Sequence, residues 1–142
     1  MKKIFIILIT SLFLAGCKSG PTSPVNSNFY ERWKSYNIHD YKIEQTMYCF
    51  CIYGARKMEV TVHSDSVYSV MNLSDSTMLP ESMLRSFHSV DSLFGMITKH
   101  QDDSLRVSYN VLYGFPDTLD IDPQLHPVDG GILYVTSNLR PL

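Results

Sequence analysis

Two cysteines separated by one residue, Cys49 and Cys51, carry the most specific chemistry in this sequence. On an extended strand, two steps of about 3.3 Å would place their Cα atoms roughly 6.6 Å apart, at the upper limit for a disulfide, so bonding requires a bend. So small a ring would stabilise the chain by only about 1.5 kcal/mol, and strain would make it easier to reduce. The pair therefore has three interpretations: a structural disulfide at a strand end, two buried thiols, or a redox or metal-binding pair. Metal binding is the weakest because Cys-x-Cys supplies only two ligands.

The amino terminus has the parts of an export signal. A charged start, an apolar run over residues 4–14 and two small residues precede Cys17. The run of about 11 apolar residues is much shorter than the roughly 20 that a membrane-spanning helix needs. Leu14-Ala15-Gly16-Cys17 resembles a lipobox. The resemblance implies cleavage before Cys17, diacylation of its sulfur and acylation of the new amino terminus, which together would anchor the chain firmly to a membrane.

Removal of this signal peptide, residues 1–16, would leave 126 of the 142 residues, enough for one domain. Residues 17–27 combine the lipidated Cys17 with a stretch of Ser, Pro and Gly that is typical of a flexible tether, so a single domain is expected over 28–142. Ten extended residues would reach up to roughly 35 Å from the lipid surface. Lys18 stands where an aspartate would resemble an inner-membrane retention signal, and this analogy favours the outer membrane, on either its periplasmic or its outer side.

Charge and motifs exclude several classes of function. Without Lys2 and Lys3, 10 basic residues stand against 14 acidic ones, and this net charge of −4 argues against a nucleic-acid partner. The sequence contains no Gly-rich phosphate loop, nucleophile elbow, HExxH motif or paired-carboxylate signature. We therefore predict no cofactor, no metal and no catalytic residues, although catalytic groups can also assemble from distant parts of a chain.

The remaining ionisable residues show no ligand spacing. The histidines are scattered, and each is expected at the surface or at a helix end: His39, His63, His88, His100 and His126. Four acidic residues gather near the carboxyl terminus, but without the alternating oxygens and central glycine of an EF-hand loop: Asp117, Asp120, Asp122 and Asp129. A solvated acidic edge, which would discourage pairing between sheets, is the expected structure there.

The cysteine pair is predicted to lie on the first strand of the domain. Before it, Asn28 is expected to cap a short helix with Glu31 that ends near Asn37, and the aromatic residues of that helix fall on one face: Phe29, Trp33 and Tyr36. From Tyr41 the period changes to two, with one face formed by Tyr41, Ile43, Met47, Cys49 and Cys51. Lys42, Glu44, Thr46 and Tyr48 form the other, solvent-facing side.

The rest of the chain repeats the pattern of helix and strands. After a turn at Gly54, strands are predicted at residues 57–63 and 67–73, followed by a long loop over 74–87 that could hold a helical turn. A second helix starts at the cap Ser89, with one apolar face: Val90, Leu93, Phe94 and Ile97. Three further strands are expected around 105–109, 119–121 and 132–136, which gives the order αβββαβββ. Short connections and two apolar helix faces predict an α+β two-layer sandwich, in which a mainly antiparallel sheet of about six strands carries two helices on one face.

Several segments together resemble the DUF6174 family of bacterial lipoproteins and secreted proteins, which has no assigned function. They are Trp33 before Tyr41, Cys49-Phe50-Cys51, Val60-Thr61-Val62 with Val67 and Val70, residues 87–94, Val107-Ser108-Tyr109-Asn110, Gly114-Phe115-Pro116 and Ile121-Asp122. The resemblance covers nearly the whole domain and supports its fold and location, but it supplies no catalytic residues. This chain departs from the family at Ser64-Asp65-Ser66 and at Ser92, which affects only a turn and a helix start.

Two functions remain as hypotheses. The leading one is a non-enzymatic envelope lipoprotein that is held to the membrane through Cys17 and binds a protein, peptide or other envelope component. The alternative is a thiol-redox protein that uses Cys49 and Cys51.

Overall fold

A computed structural model describes residues 27–100, 104–128 and 130–142. The predicted signal peptide, the lipidation site Cys17 and nearly all of the tether lie outside these residues. The helices are α1 (Ser27–Ser35), α2 (Glu81–Leu84) and α3 (Val90–Lys99), with one 3-10 helix at Pro123–Val128. The strands are β1 (Tyr41–Tyr48), β2 (Lys57–His63), β3 (Ser66–Asn72), β4 (Leu105–Tyr109), β5 (Pro116–Ile121) and β6 (Ile132–Pro141). None of the helices in the described ranges is long and apolar enough to cross a bilayer.

The six strands form one sheet in the order β3-β2-β1-β6-β5-β4, and every neighbouring pair is antiparallel. This confirms the prediction of an α+β protein with a mainly antiparallel six-stranded sheet. Each half of the chain is a three-stranded meander that follows a helix, and the meanders join where β1 pairs with β6. The first and last strands of the chain are therefore the two central strands of the sheet.

β1 places the residues that lead into the cysteine pair. Tyr41, Ile43 and Met47 are buried as their spacing predicts, whereas Thr46, expected on the solvent side, is also buried. Cys49 and Cys51 were predicted on the same face of β1 as Tyr41. This prediction was wrong, because β1 ends at Tyr48 and both cysteines lie beyond it. The alternating pattern continues through the cysteines, but the bond between them requires the chain to bend.

α1 packs its aromatic residues against both halves of the sheet. Trp33 is buried and meets the ring of Tyr41 edge to face at 5.5 Å, while Phe29 stacks on Tyr109 at 4.8 Å. The helix already includes Ser27, so Asn28 lies within it and the prediction that Asn28 caps it was wrong. Tyr36 lies after the helix and is exposed, with its hydroxyl donating to the carbonyl of Leu112.

α3 matches its prediction closely. Its predicted apolar face is buried, and the Oγ of Ser89 accepts a hydrogen bond from the backbone N–H of Ser92. The backbone N–H of Val90 donates to the hydroxyl of Tyr41 at 2.8 Å, which fixes the start of α3 against β1. The end of the preceding segment is also held to β1, because the backbone N–H of His88 donates to Gln45 Oε1 at 3.1 Å and its carbonyl accepts from Gln45 Nε2 at 3.3 Å.

The segment 74–87 and the last strand differ in length from their predictions. The expected loop contains the four-residue α2 and a bridge between Met71 and Met78 along the outer edge of β3. β6 extends to Pro141 instead of ending near Thr136, because its second half pairs with the start of β1 although residues such as Asn138 favour turns.

An ion cluster lies on the sheet face opposite Tyr41. Only 9% of the Glu59 side chain is exposed, and its carboxylate accepts from Lys42 Nζ at 2.7 Å and from Arg140 Nη2. The hydrogen bond from Lys42 is the main cause that holds the pKa of Glu59 below its usual value, against the opposing effect of burial. Three neighbouring strands are tied together by this one carboxylate.

Candidate functional site

The cysteine pair lies in the connection between β1 and β2, which we call the disulfide loop (residues 49–56). Cys49 and Cys51 are joined by a disulfide with their Cα atoms 5.3 Å apart, closer than two steps of an extended strand. The backbone N–H of Gly54 donates to the carbonyl of Cys51 at 3.0 Å, and that of Ala55 donates to Met47 at 2.7 Å. A Cβ at Gly54 would lie 2.5 Å from the Cys49 carbonyl oxygen, so the tight return of this loop requires glycine.

The disulfide loop presents two large apolar side chains to solvent. Phe50, between the cysteines, is 91% exposed and Ile52 is 73% exposed. Apolar residues are normal on protein surfaces one at a time, but this loop exposes two large ones within three residues. The disulfide limits the conformations that the backbone of this loop can adopt.

A cleft of about 590 Å³ lies beside this loop. Its walls come from the end of β1, the disulfide loop, the segment 83–88 and the start of β6. Its apolar lining includes Met47, Met83, Ile132 and Tyr134. Volume and lining fit a site for a small ligand or for a few residues of a peptide.

Polar groups at the cleft come from the segment 83–88 and from β6. His88 Nε2 lies 3.3 Å from the Tyr134 hydroxyl, and its Nδ1 lies 3.2 Å from Ser92 Oγ. Burial lowers the pKa of His88 and raises that of Tyr134, so both side chains are neutral at pH 7. Arg85 is exposed and its guanidinium has no ion pair or hydrogen bond within the described ranges.

Of the five histidines, only His88 is among the described residues that line the cleft. His39 and His63 form carboxylate pairs at the far end of the sheet, with Asp65 at 2.8 Å and Asp40 at 3.0 Å. The hydrogen bond from His63 lowers the pKa of Asp40. His100 follows α3, as expected. His88 lies just before the start of α3, where its Nδ1 contacts Ser92, as a helix-end histidine would, but its side chain is half buried in the cleft wall and not at the surface.

The acidic residues near the carboxyl terminus bond to neighbouring side chains. Asp117 accepts from Ser108 Oγ, Asp122 accepts from Gln124 at 3.4 Å, and Asp120 lies 2.9 Å from His126 Nε2. Asp129 lies outside the described residues. Among residues 27–100, 104–128 and 130–142, no three His, Cys, Asp or Glu side chains form a group that could hold a metal ion.

Sequence reasoning identified the cysteines but not the surface around them. Tyr48, Phe50 and Ile52 follow the polar residues Lys42 and Glu44 on the same alternating positions. That change from polar to apolar was the available signal for exposed apolar side chains. Arg85 and Met83 gave none, because they belong to a segment without a hydrophobic period.

Comparison with known proteins gives one finding. The family described as a family of unknown function, DUF6174, matches residues 27–141. This match confirms the resemblance seen in the sequence. No curated protein and no solved structure gave a significant match.

Proposed function

The chain belongs to the DUF6174 family, a family of unknown function, and we propose that its domain is a non-enzymatic binding module held near a bacterial membrane by lipidated Cys17. The proposed contact surface consists of the disulfide loop and the adjacent cleft. The observation that carries the proposal is the exposure of Phe50 and Ile52, 91% and 73%, on a loop that a disulfide constrains beside an apolar cleft. Constrained aromatic side chains of this kind are typical anchors of protein interfaces.

The position of the tether supports this function. The chain enters the domain at α1, where Phe29 stacks on Tyr109 at the end of β4 that is opposite the disulfide loop. The eight residues of β1 span about 26 Å between the two ends. A domain anchored through residues 17–26 would therefore have its attachment point at the end away from the cleft, which leaves the cleft accessible from the aqueous space. The outer membrane is the favoured site of anchoring.

The same proposal includes a two-layer arrangement in which α1 and α3 cover one face of the sheet. Tyr41 supports it, because its ring contacts Trp33 of α1 while its hydroxyl bonds to Val90 at the start of α3. The opposite face carries the ion cluster around Glu59.

Site-specific photo-crosslinking in intact cells tests the proposal. A photoreactive phenylalanine analogue replaces Phe50, and a matched control replaces Tyr68, which is 68% exposed on β3. We expect a discrete adduct from position 50 that position 68 does not give and that is lost when Cys17→Ser releases the chain from the membrane. The proposal fails if position 50 yields no reproducible adduct, or if Cys17 carries no acyl groups by mass spectrometry.

A thiol-redox function is a second proposal, favoured by the disulfide at the edge of the cleft and the exposure of Cys51. A partner thiolate would attack the Cys49–Cys51 bond to form a mixed disulfide, and the second thiol of the partner would then displace the reduced pair. The partner would lose two electrons and two protons, which this pair would gain. Titration of the thiols in redox buffers tests this: a pair that stays oxidised down to strongly reducing potentials is structural.

A further inference from the structure

We propose that the cleft recognises an extended peptide segment of a protein partner in which a large apolar side chain lies next to a carboxylate, and that Arg85 binds this carboxylate. The inference rests on the proposed binding function and names the chemistry of the partner. It goes beyond the exposed loop because it depends on a charged residue of the segment 83–88.

The cleft carries a single positive charge on its described lining. Arg85 is the one formally charged side chain among the described residues that line it, and no acidic residue is among them. The neutral state of His88 adds no second charge. A chain with more acidic than basic residues thus presents one cation in the lining of this cleft.

The guanidinium of Arg85 is not paired within the described part of the domain. Lys34, Lys42 and Lys57 are paired, with Asp91 at 3.3 Å, Glu59 at 2.7 Å and Glu44 at 3.3 Å. Arg56, Lys99 and Arg106 form no ion pair with a described residue, so what distinguishes Arg85 is its position in the lining of the cleft. Arg85 has no such partner in the described part of the chain. A guanidinium offers a planar fork of donors that fits a carboxylate, so an acidic side chain or a carboxyl terminus complements it.

The cleft also offers surface to the apolar side of the ligand. Phe50 and Ile52 at one rim, with Met47 and Met83 in the lining, offer aromatic, aliphatic and thioether surface. Methionine side chains adapt to ligands of different shape, which suits a side chain of varied identity. About 590 Å³ has room for a few residues, so the apolar and acidic groups must be close together in the partner.

Selection from a display library of random dodecapeptides tests the proposal. The target is the chain from residue 17 onward with Cys17→Ser, prepared with its disulfide intact. Parallel selections use Arg85→Glu and, as a matched control with the same change of charge, Arg106→Glu at an exposed position on β4. Circular dichroism and thermal unfolding establish that all three targets are folded.

We expect the unsubstituted cleft to enrich peptides with Asp, Glu or a free carboxyl terminus next to a large apolar residue. Arg85→Glu should lose the acidic preference and bind the enriched peptides about tenfold more weakly or worse by fluorescence anisotropy, whereas Arg106→Glu should change affinity less than twofold. Amidated and terminally extended versions of an enriched peptide separate a carboxyl terminus from an acidic side chain.

Three results would overturn the inference: enriched peptides without an acidic group, equal losses for both charge reversals, or no enriched peptide at all. Binding to vesicles of anionic phospholipid that Arg85→Glu abolishes, in the absence of peptide binding, would assign the cation to lipid instead. A crosslink from position 50 together with peptides that lack acidic groups would overturn only this inference. If position 50 gives no crosslink and no peptide is enriched, the proposed binding function fails as well.

Discussion

Removal of the disulfide is expected to affect binding more than folding. In the Cys49→Ser/Cys51→Ser variant the lost cross-link closes only three residues, so its entropic contribution is about 1.5 kcal/mol. The hydrogen bonds from Gly54 to Cys51 and from Ala55 to Met47 involve backbone atoms and persist in the variant. The freed loop can therefore stay mobile inside a folded domain, and only part of the 1.5 kcal/mol is lost from stability.

The remaining cost appears when a partner orders the loop. At most the whole 1.5 kcal/mol is lost from the free energy of binding, which corresponds to an affinity up to about tenfold lower. At roughly 4 °C for each kcal/mol in a domain of this size, the melting temperature should fall by less than about 6 °C.

Both quantities can be measured on one sample. Thermal unfolding followed by circular dichroism gives the first, and anisotropy with a peptide enriched by the oxidised chain gives the second. Addition of a phosphine reductant to the oxidised chain should reproduce both changes and is the control for the serine substitutions. A fall of more than 15 °C would show that the disulfide stabilises the whole fold, and an unchanged affinity would refute the role assigned to the constrained loop.

Three further predictions, tested with four substitutions, concern the fold. Gly114 has a φ of +86°, and an added Cβ would lie 2.4 Å from a backbone oxygen of α1, so Gly114→Ala should lower the free energy of unfolding in urea by about 2–4 kcal/mol. The control Gly95→Ala adds a Cβ in open space on α3 and should raise that free energy by up to about 1 kcal/mol. Equal effects of the two substitutions would contradict this prediction. Glu59 has a lowered pKa, so the stability it adds is present above about pH 4.5 and is lost as pH falls through its folded value. Glu59→Gln should flatten the loss of stability between pH 5 and 3, and an unchanged pH dependence would count against the ion cluster. Tyr41→Phe removes the acceptor of the Val90 N–H and should cost about 1–3 kcal/mol by urea unfolding, whereas a neutral result would show that water replaces the hydroxyl.

The elements that the sequence predicted well are those with a strong local period. α3 has a cap, an apolar face and a basic end within ten residues, and β2 alternates without interruption. Such signals need no knowledge of the rest of the chain. β6 was predicted too short because residues 137–141 become strand through pairing with β1, about a hundred residues earlier, and not through their own preferences.

Only the local part of the site, the cysteine pair, was predicted from the sequence. The spacing of Cys49 and Cys51 identifies a possible ring and the need for a bend, both of which are local properties. The cleft is not local, since it brings together the end of β1, residues 83–88 and the start of β6. Arg85 acquires its position only from this assembly, and no pattern around it in the sequence distinguishes it from a solvated surface arginine.

The pairing of the first strand with the last also sets the order in which this protein can mature. β1 begins at Tyr41 and its partner β6 ends at Pro141, one residue before the end of the chain. As the chain is synthesised from its amino end, the first meander would be complete with the β1 edge bare until residues 132–141 had followed. A chain shortened before β6 would leave the edges of both β1 and β5 exposed to aggregation and proteolysis. Only a chain that includes residues 132–141 can join the two meanders into one sheet.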